Sequence, residues 1–160
     1  MESSFSRLNQ LNYGFYLVKI TPDWQESENM LKEVGHIYED WQLLPFLNVK
    51  DNMLIEIKRA QKIKLPHYLK LFDLPLTVLS TSIEELTPLE KIKLQMIRQL
   101  LQEKGILFLH ECAGYLSVQN IQWLLPFCQR IAQSKHLKII LFSSDEQLAN
   151  TPYIDQVLQV

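Results

Sequence analysis

Glycine is scarce. Gly14, Gly35, Gly105 and Gly114 are the only four in 160 residues, few for a chain that would grip phosphate with backbone N–H groups. Cysteine is scarcer still: Cys112 and Cys128 cannot build a disulfide framework, so a reducing cytosol is the default. Neither sign of charge dominates, with 16 basic and 18 acidic residues and a formal charge of −2. No basic excess therefore points to DNA, RNA or an anionic membrane. No apolar run approaches the ~18 residues of a membrane span. The opening "MESSFSRLNQ" lacks the basic-then-apolar layout of a signal peptide. The expected location is the cytoplasm, with any contact at the inner face of the membrane made through a partner. What is abundant is hydrophobic residues, 47% of the chain. That suits one domain, which at this length buries roughly 70% of its unfolded surface.

Apolar periodicity divides the chain into alternating strands and helices. "FYLVKI" (Phe15–Ile20) reads as a buried strand, with a helix predicted from about Trp24 after the turn signals Pro22 and Asp23. "VGHIY" (Val34–Tyr38) is a second strand candidate, and "EDWQLLPFLN" reads as a loop broken by Pro45. Asn48 is positioned to cap a helix whose apolar face is Val49, Met53, Ile57 and Ala60. A short helix is expected in "HYLKLF" beyond Pro66, and "LPLTVLSTSIEE" reads as loop. The next helix is better specified. Thr87 is the N-cap, Pro88 the first helical position, and Glu90 completes a capping box. Leu89, Ile92, Met96, Ile97, Leu100 and Leu101 form its apolar face, and Gly105 is a suitable stop. "ILFL" (Ile106–Leu109) reads as a central parallel strand. A helix from Ser117 to about Gln133, a strand at Leu137–Phe142, a short helix at Asp145–Leu148 and a last strand in "QVLQV" complete the alternation. The expected fold class is an α/β sheet with right-handed crossovers.

These segments, in order, resemble the nucleotide-binding domain of ABC transporters. "VGHIYEDWQLLPFLNVKDNMLI" resembles the family's Q-loop region, IGYVFQDxxLLPxLTVxENV. "LTPLEKIKLQMIRQLLQEKGILFLHE" resembles LSGGQxQRVAIARALxxxPxILLLDE, the signature motif followed by Walker B. "CAGYLS" stands at the D-loop, "KIILFSSDEQL" at the histidine switch, and "YIDQVLQV" at the strand after it. The combination runs from Val34 to Val160 and is more specific than any one motif. The resemblance implies a P-loop NTPase-like, mainly parallel sheet flanked by helices. It also implies a reduced antiparallel β-lobe and a small helical subdomain, from about 45 to 104, within a single domain spanning 1–160.

The departures carry as much as the matches. The family's P-loop, GxxxxGK[ST], should follow the first strand, where this chain reads "TPDWQESEN" with Ser27 at the place of the lysine. Two or three charge-assisted hydrogen bonds lost there would remove very roughly 3–9 kcal/mol. That takes micromolar ATP binding toward millimolar or beyond. The Q-loop glutamine is Glu39, the signature glycines are Pro88 and Leu89, and the Walker B aspartate is His110. The D-loop aspartate is Ser117 and the switch histidine is Ser144. Only Glu111 remains, a vestigial general base. Ser27 and Glu39 are twelve positions apart, where the family has a few dozen residues, so much of the β-lobe is expected to be missing.

Plainer readings stand beside these. "LTPLE" is fully explained as a capped helix start, and Glu111 equally by a structural role at a strand end. His110, Cys112 and His136 lack a second close pair at zinc spacing, so no metal site is expected, and Cys112 is not expected to be a nucleophile. Trp41, Leu43, Leu44, Phe46 and Leu47 are either core or the surface that, in the resembling family, receives a permease helix. The leading expectation is a catalytically inactive pseudo-ATPase with no ATP or Mg²⁺ cofactor. It would bind an ABC permease, a catalytic ABC ATPase or a second copy of itself, with no nucleic acid. One alternative is a weak ATPase or nucleotide sensor that uses Glu111. A lesser one is a DNA-binding relative of the CRISPR adaptation proteins of ABC/SMC type, which "AGYLS" loosely resembles.

Overall fold

The computed structural model describes residues 6–21 and 33–158. The predicted helix near Trp24 and the Ser27 position lie outside the described residues. Five parallel strands form one sheet in the order β2-β3-β4-β1-β5: β1 Gly14–Lys19, β2 Val34–Tyr38, β3 Ile106–His110, β4 Lys138–Ser143 and β5 Gln156–Leu158. All their pairings are parallel. The fully apolar run "ILFL" lies between β2 and β4, as expected for a strand buried on both faces.

One face of the sheet carries Phe15, Leu17, Ile37, Leu107, Leu109, Ile139 and Leu141, packed in a single core with the helices. These helices are α1 Val49–Leu54, α3 Leu65–Leu71, α4 Pro88–Leu101 and α5 Val118–Ser134, while the short α2, Arg59–Lys62, buries no residue. The other face carries Tyr16, Val18, Val34, Ile106, Phe108, Ile140 and Phe142, with Leu8 from a 3-10 turn at Ser6–Gln10 packed on it. The split follows from the two-residue repeat of a strand.

Local signals explain where the helices start. The Thr87 hydroxyl accepts from the Glu90 N–H at 3.2 Å, and the Glu90 carboxylate accepts from the Thr87 N–H at 2.9 Å, so the expected capping box is formed. Asn48 accepts from the Asp51 N–H at 2.7 Å, as predicted, and Ser117, read in the sequence as the first residue of its helix, is instead the cap that precedes it, accepting from the Asn120 N–H at 3.2 Å. Gly35 is needed where α4 crosses β2: a Cβ there would lie 2.9 Å from the Cβ of Gln99.

Several boundaries differ from the sequence reading. The helix after Asn48 ends at Leu54, because Glu56 takes a left-handed conformation (φ 61°), and Ala60 is exposed rather than on a continuing apolar face. Pro66 sits in the first turn of α3, where its missing N–H costs nothing, rather than before it. "LPLTVLSTSIEE" is not irregular: it contains 3-10 turns at Leu76–Ser80 and Ile83–Glu85. The left-handed residue after α4 is Glu103 (φ 61°) instead of Gly105. The strands at Gly14–Lys19 and Lys138–Ser143 are offset by one residue from their expected bounds.

Candidate functional site

In an open parallel sheet, ligands meet the carboxyl ends of the strands. Here that edge gathers the residues singled out in the sequence. Glu39 follows β2, His110 ends β3 with Glu111 directly after it, and Ser143 ends β4 with Ser144 after it. Register explains what His110 meets. Tyr38, His110 and Phe142 are opposite one another across β2, β3 and β4, so their side chains share one face at about the ~4.8 Å strand spacing. Their rings stack: Tyr38 on His110 at 4.6 Å between centroids, and His110 on Phe142 at 5.4 Å. His36, two residues before Tyr38, brings its Nδ1 to 2.9 Å from His110 Nε2. One of these nitrogens must donate and the other accept, so the contact requires the accepting ring nitrogen to be unprotonated. Burial, then the neighbouring His36, lowers the His110 pKa from 6.5 to about 4. At neutral pH His110 is an uncharged ring inside an aromatic stack.

Glu111 adopts a left-handed conformation (φ 54°), unusual for a residue with a side chain. Its N–H donates to the Phe142 carbonyl at 2.9 Å. The exposed Tyr115 phenol carries a raised pKa, first from the Glu39 charge, then from a hydrogen bond to that same carboxylate, with Glu111 contributing less. Two carboxylates therefore reach the neighbourhood of Tyr115. Ser144 is exposed, while buried Ser143 accepts from the Asp145 N–H at 3.1 Å. Cys112 is buried and its thiol is pushed up to about 12, chiefly by desolvation. Burial raises Cys128 as well, so neither is a thiolate nucleophile at neutral pH. Among the described residues no group of three or more His, Cys, Asp or Glu side chains is arranged to hold a metal ion.

The loop from Trp41 to Leu47 splits in two. Trp41 and Leu43 pack against the main core. Leu44 and Phe46 face outward, Phe46 with 79% of its surface exposed, and Leu47 is half-buried. Buried Asn52 of α1 fixes this presentation. Its Oδ1 accepts from the Leu44 N–H at 2.8 Å, and its Nδ2 lies 2.9–3.2 Å from the carbonyls of Asn48, Leu44 and Leu47. Gln95 of α4 secures the strand before it, accepting from the Tyr38 N–H at 3.0 Å and donating to the Tyr38 carbonyl at 2.7 Å.

Sequence reasoning missed His36, Tyr115, Asn52 and Gln95. The histidine pair depends on strand register, which no local pattern encodes. Gln95 and Tyr115 act on residues far away in sequence, Tyr38 and Glu39, and Asn52 acts on the backbone of the irregular loop just before its helix. No helix of the described residues is long and apolar enough to cross a membrane.

No protein-family model matches the chain. The molybdenum import ATP-binding protein ModC of Rhodobacter capsulatus is 25% identical over 149 residues, covering 86% of this chain and 41% of that protein. The chain thus spans about two fifths of this curated relative's length. Among solved structures, the dimeric bacterial ABC transporter cassette MJ0796 superposes with a TM-score of 0.68 at 11% identity, covering 94% of this chain and 82% of the other. The cassette cbiO1 of Clostridium perfringens, part of the ABC transporter complex cbiONQ, gives 0.70 at 13%, covering 92% and 73%. A metal-chelate type ABC transporter in an inward-facing conformation gives 0.72 at 13%, covering 89% and 67%. In fold the chain is similar to ABC transporter cassettes, and over most of its length its sequence is similar to that of an ABC-type import ATP-binding protein.

Proposed function

We propose that the chain is a non-catalytic ABC-ATPase-like subunit whose task is binding, as a partner of a permease or of a catalytic ATPase. The observation that carries this is His110. It stands where the resembling family has an aspartate at the magnesium side of the nucleotide, yet it is held neutral, packed between Tyr38 and Phe142 and against His36. An uncharged ring in that setting supplies no anionic partner for a hydrated Mg²⁺. The start of α4 supports the same reading. Where the family offers signature N–H groups to a phosphate, Pro88 has none and the Glu90 N–H is taken by Thr87. In sequence, Ser27 replaces the P-loop lysine and Ser144 the switch histidine. Glu111 alone has no positioned phosphate to act on. The 41–47 loop, in contrast, retains outward Leu44 and Phe46 on a rigid support, which suits docking to a helix of a partner. The helical segment from about 45 to 104 would act as the arm that presents it.

The test is magnesium-dependent ATP turnover by the chain beside its Glu111→Gln variant, with melting temperature measured with and without ATP and Mg²⁺. We expect no turnover above the variant and no thermal shift. Turnover abolished by Glu111→Gln, or a nucleotide-dependent rise in melting temperature, would instead establish a weak ATPase or nucleotide sensor.

A further inference from the structure

The helical segment is basic where the rest of the chain is not. From Val49 to Phe72 it has six basic residues and only two acidic ones, Asp51 and Glu56, in a chain whose formal charge is −2. Within it lies an open cavity of about 540 Å³, inside the ~300–1,000 Å³ range of small-molecule sites. Its lining divides sharply by chemistry. Leu65 is buried, Leu54 and Leu79 rest on the core, and Ile63 and Leu76 are 78% and 62% exposed. The only polar lining residues are Lys50 and Lys62, with no carboxylate, arginine, amide or hydroxyl side chain among the rest. Lys50 and Leu54 are four residues apart on α1, so charge and apolar wall share one side of that helix. Lys58, outside the cavity, pairs with Glu103 at 3.6 Å, whereas no ion pair among the described residues engages Lys50 or Lys62.

That lining selects a class of ligand. A sugar or polyol placed against it would lose hydrogen bonds to water with few replaced. An alkyl chain loses none, and the exposed Ile63 and Leu76 give it apolar surface to cover. The two ammonium groups supply the polar recognition, and its sign is for an anion. Without an arginine fork, they suit a small head of single charge. We propose that this cavity binds a free single-chain carboxylate, the anion of a medium- or long-chain fatty acid. Its alkyl chain would lie against Leu54, Ile63, Leu65, Leu76 and Leu79, with the carboxylate toward Lys50 and Lys62. A concave site favours the free acid over a bilayer surface, which is entered by protruding apolar side chains. The inference rests neither on the loss of catalysis nor on the 41–47 loop, which lines no part of this cavity.

The probes are octanoate, decanoate and dodecanoate, each below its micellar concentration, titrated against the full chain by isothermal calorimetry. We expect saturable binding of one acid per chain that tightens roughly fourfold for each added methylene, as burial of a CH₂ group requires. Combined Lys50→Glu and Lys62→Glu should weaken dodecanoate about tenfold or more and reverse the preference, so that dodecyltrimethylammonium binds the variant better. Combined Ile63→Asp and Leu76→Asp should weaken all three acids and flatten the dependence on chain length. If the aspartate pair lowers the melting temperature, the lysine pair, at exposed positions, decides alone. Phe46→Ala should leave binding unchanged, and loss of binding in that variant would move the acid to the 41–47 loop and overturn the assignment. No binding of dodecanoate, affinity independent of chain length, or binding indifferent to both double variants would overturn it as well. Vesicles of phosphatidylglycerol that bind the chain while dodecanoate does not would overturn it in favour of a membrane contact.

Discussion

A histidine buried neutral leaves a signature in the pH dependence of stability. His110 takes up a proton near pH 6.5 when unfolded and only near pH 4 when folded. Between those values the unfolded chain binds more protons, so stability rises with pH across that window and is lost as pH falls through it. We expect His110→Phe, which keeps a ring in the stack, to remove this part of the slope in urea unfolding between pH 4 and 6.5. An unchanged slope would show that the histidine does not carry it. His110 was legible in the sequence as the odd residue at a strand's end. Its consequence was not, because His36 is 74 positions away and only the pairing of β2 with β3 brings the rings together. Glu111 was legible in the same partial way: its place after β3 was expected, its left-handed backbone was not.

Elements announced themselves where a local chemical device marks them. Thr87-Pro88 with Glu90, and Asn48, cap helices as expected, and the helix read from Ser117 begins one residue later with Ser117 as its cap, since a cap is a matter of spacing within four residues. Helix ends were less legible: α1 and α4 are followed by left-handed glutamates rather than glycines, and nothing in those side chains signals the turn. The loop from Trp41 to Leu47 shows the same limit. Five apolar residues read equally as core or surface until the fold divides them. That division makes a prediction. Phe46→Ala should change stability by less than about 0.5 kcal/mol, as exposed positions do, while reducing co-purification with a partner permease or ATPase. Trp41→Ala should lower the melting temperature, because Trp41 packs on the core. Asn52→Ala should cost about 1–3 kcal/mol by leaving loop backbone groups unpaired and should weaken the partner as Phe46→Ala does. Undiminished partner recovery with both Phe46→Ala and Asn52→Ala would place the contact elsewhere.

At the scale of the whole molecule the issue is whether the helical segment is an independent arm or part of one cooperative body. Its apolar residues do not form a core of their own. Val49, Met53, Leu65, Leu69 and Phe72 belong to the same cluster as Leu107, Ile139 and Leu141 of the sheet. Phe72 meets Phe127 of α5 edge to face at 4.7 Å, and Trp123 Nε1 donates to the Asp73 carboxylate at 3.3 Å. Arg98 of α4 donates to the carbonyls of Met53 and Ile55, tying the end of α1 to the helix that leads into β3. Contacts of this kind make separate unfolding of the segment costly, since it would expose the face of α5 as well. We therefore expect one thermal transition, coincident by far- and near-ultraviolet circular dichroism. Phe72→Ala, which empties a fully buried site on the segment's side, should destabilise by about 3–5 kcal/mol. It should shift that single transition rather than split it. Two resolved transitions in the variant, with α5 still protected from amide exchange after the first, would mean that the segment unfolds alone. A single transition supports one cooperative body in which the helical segment and the sheet unfold together.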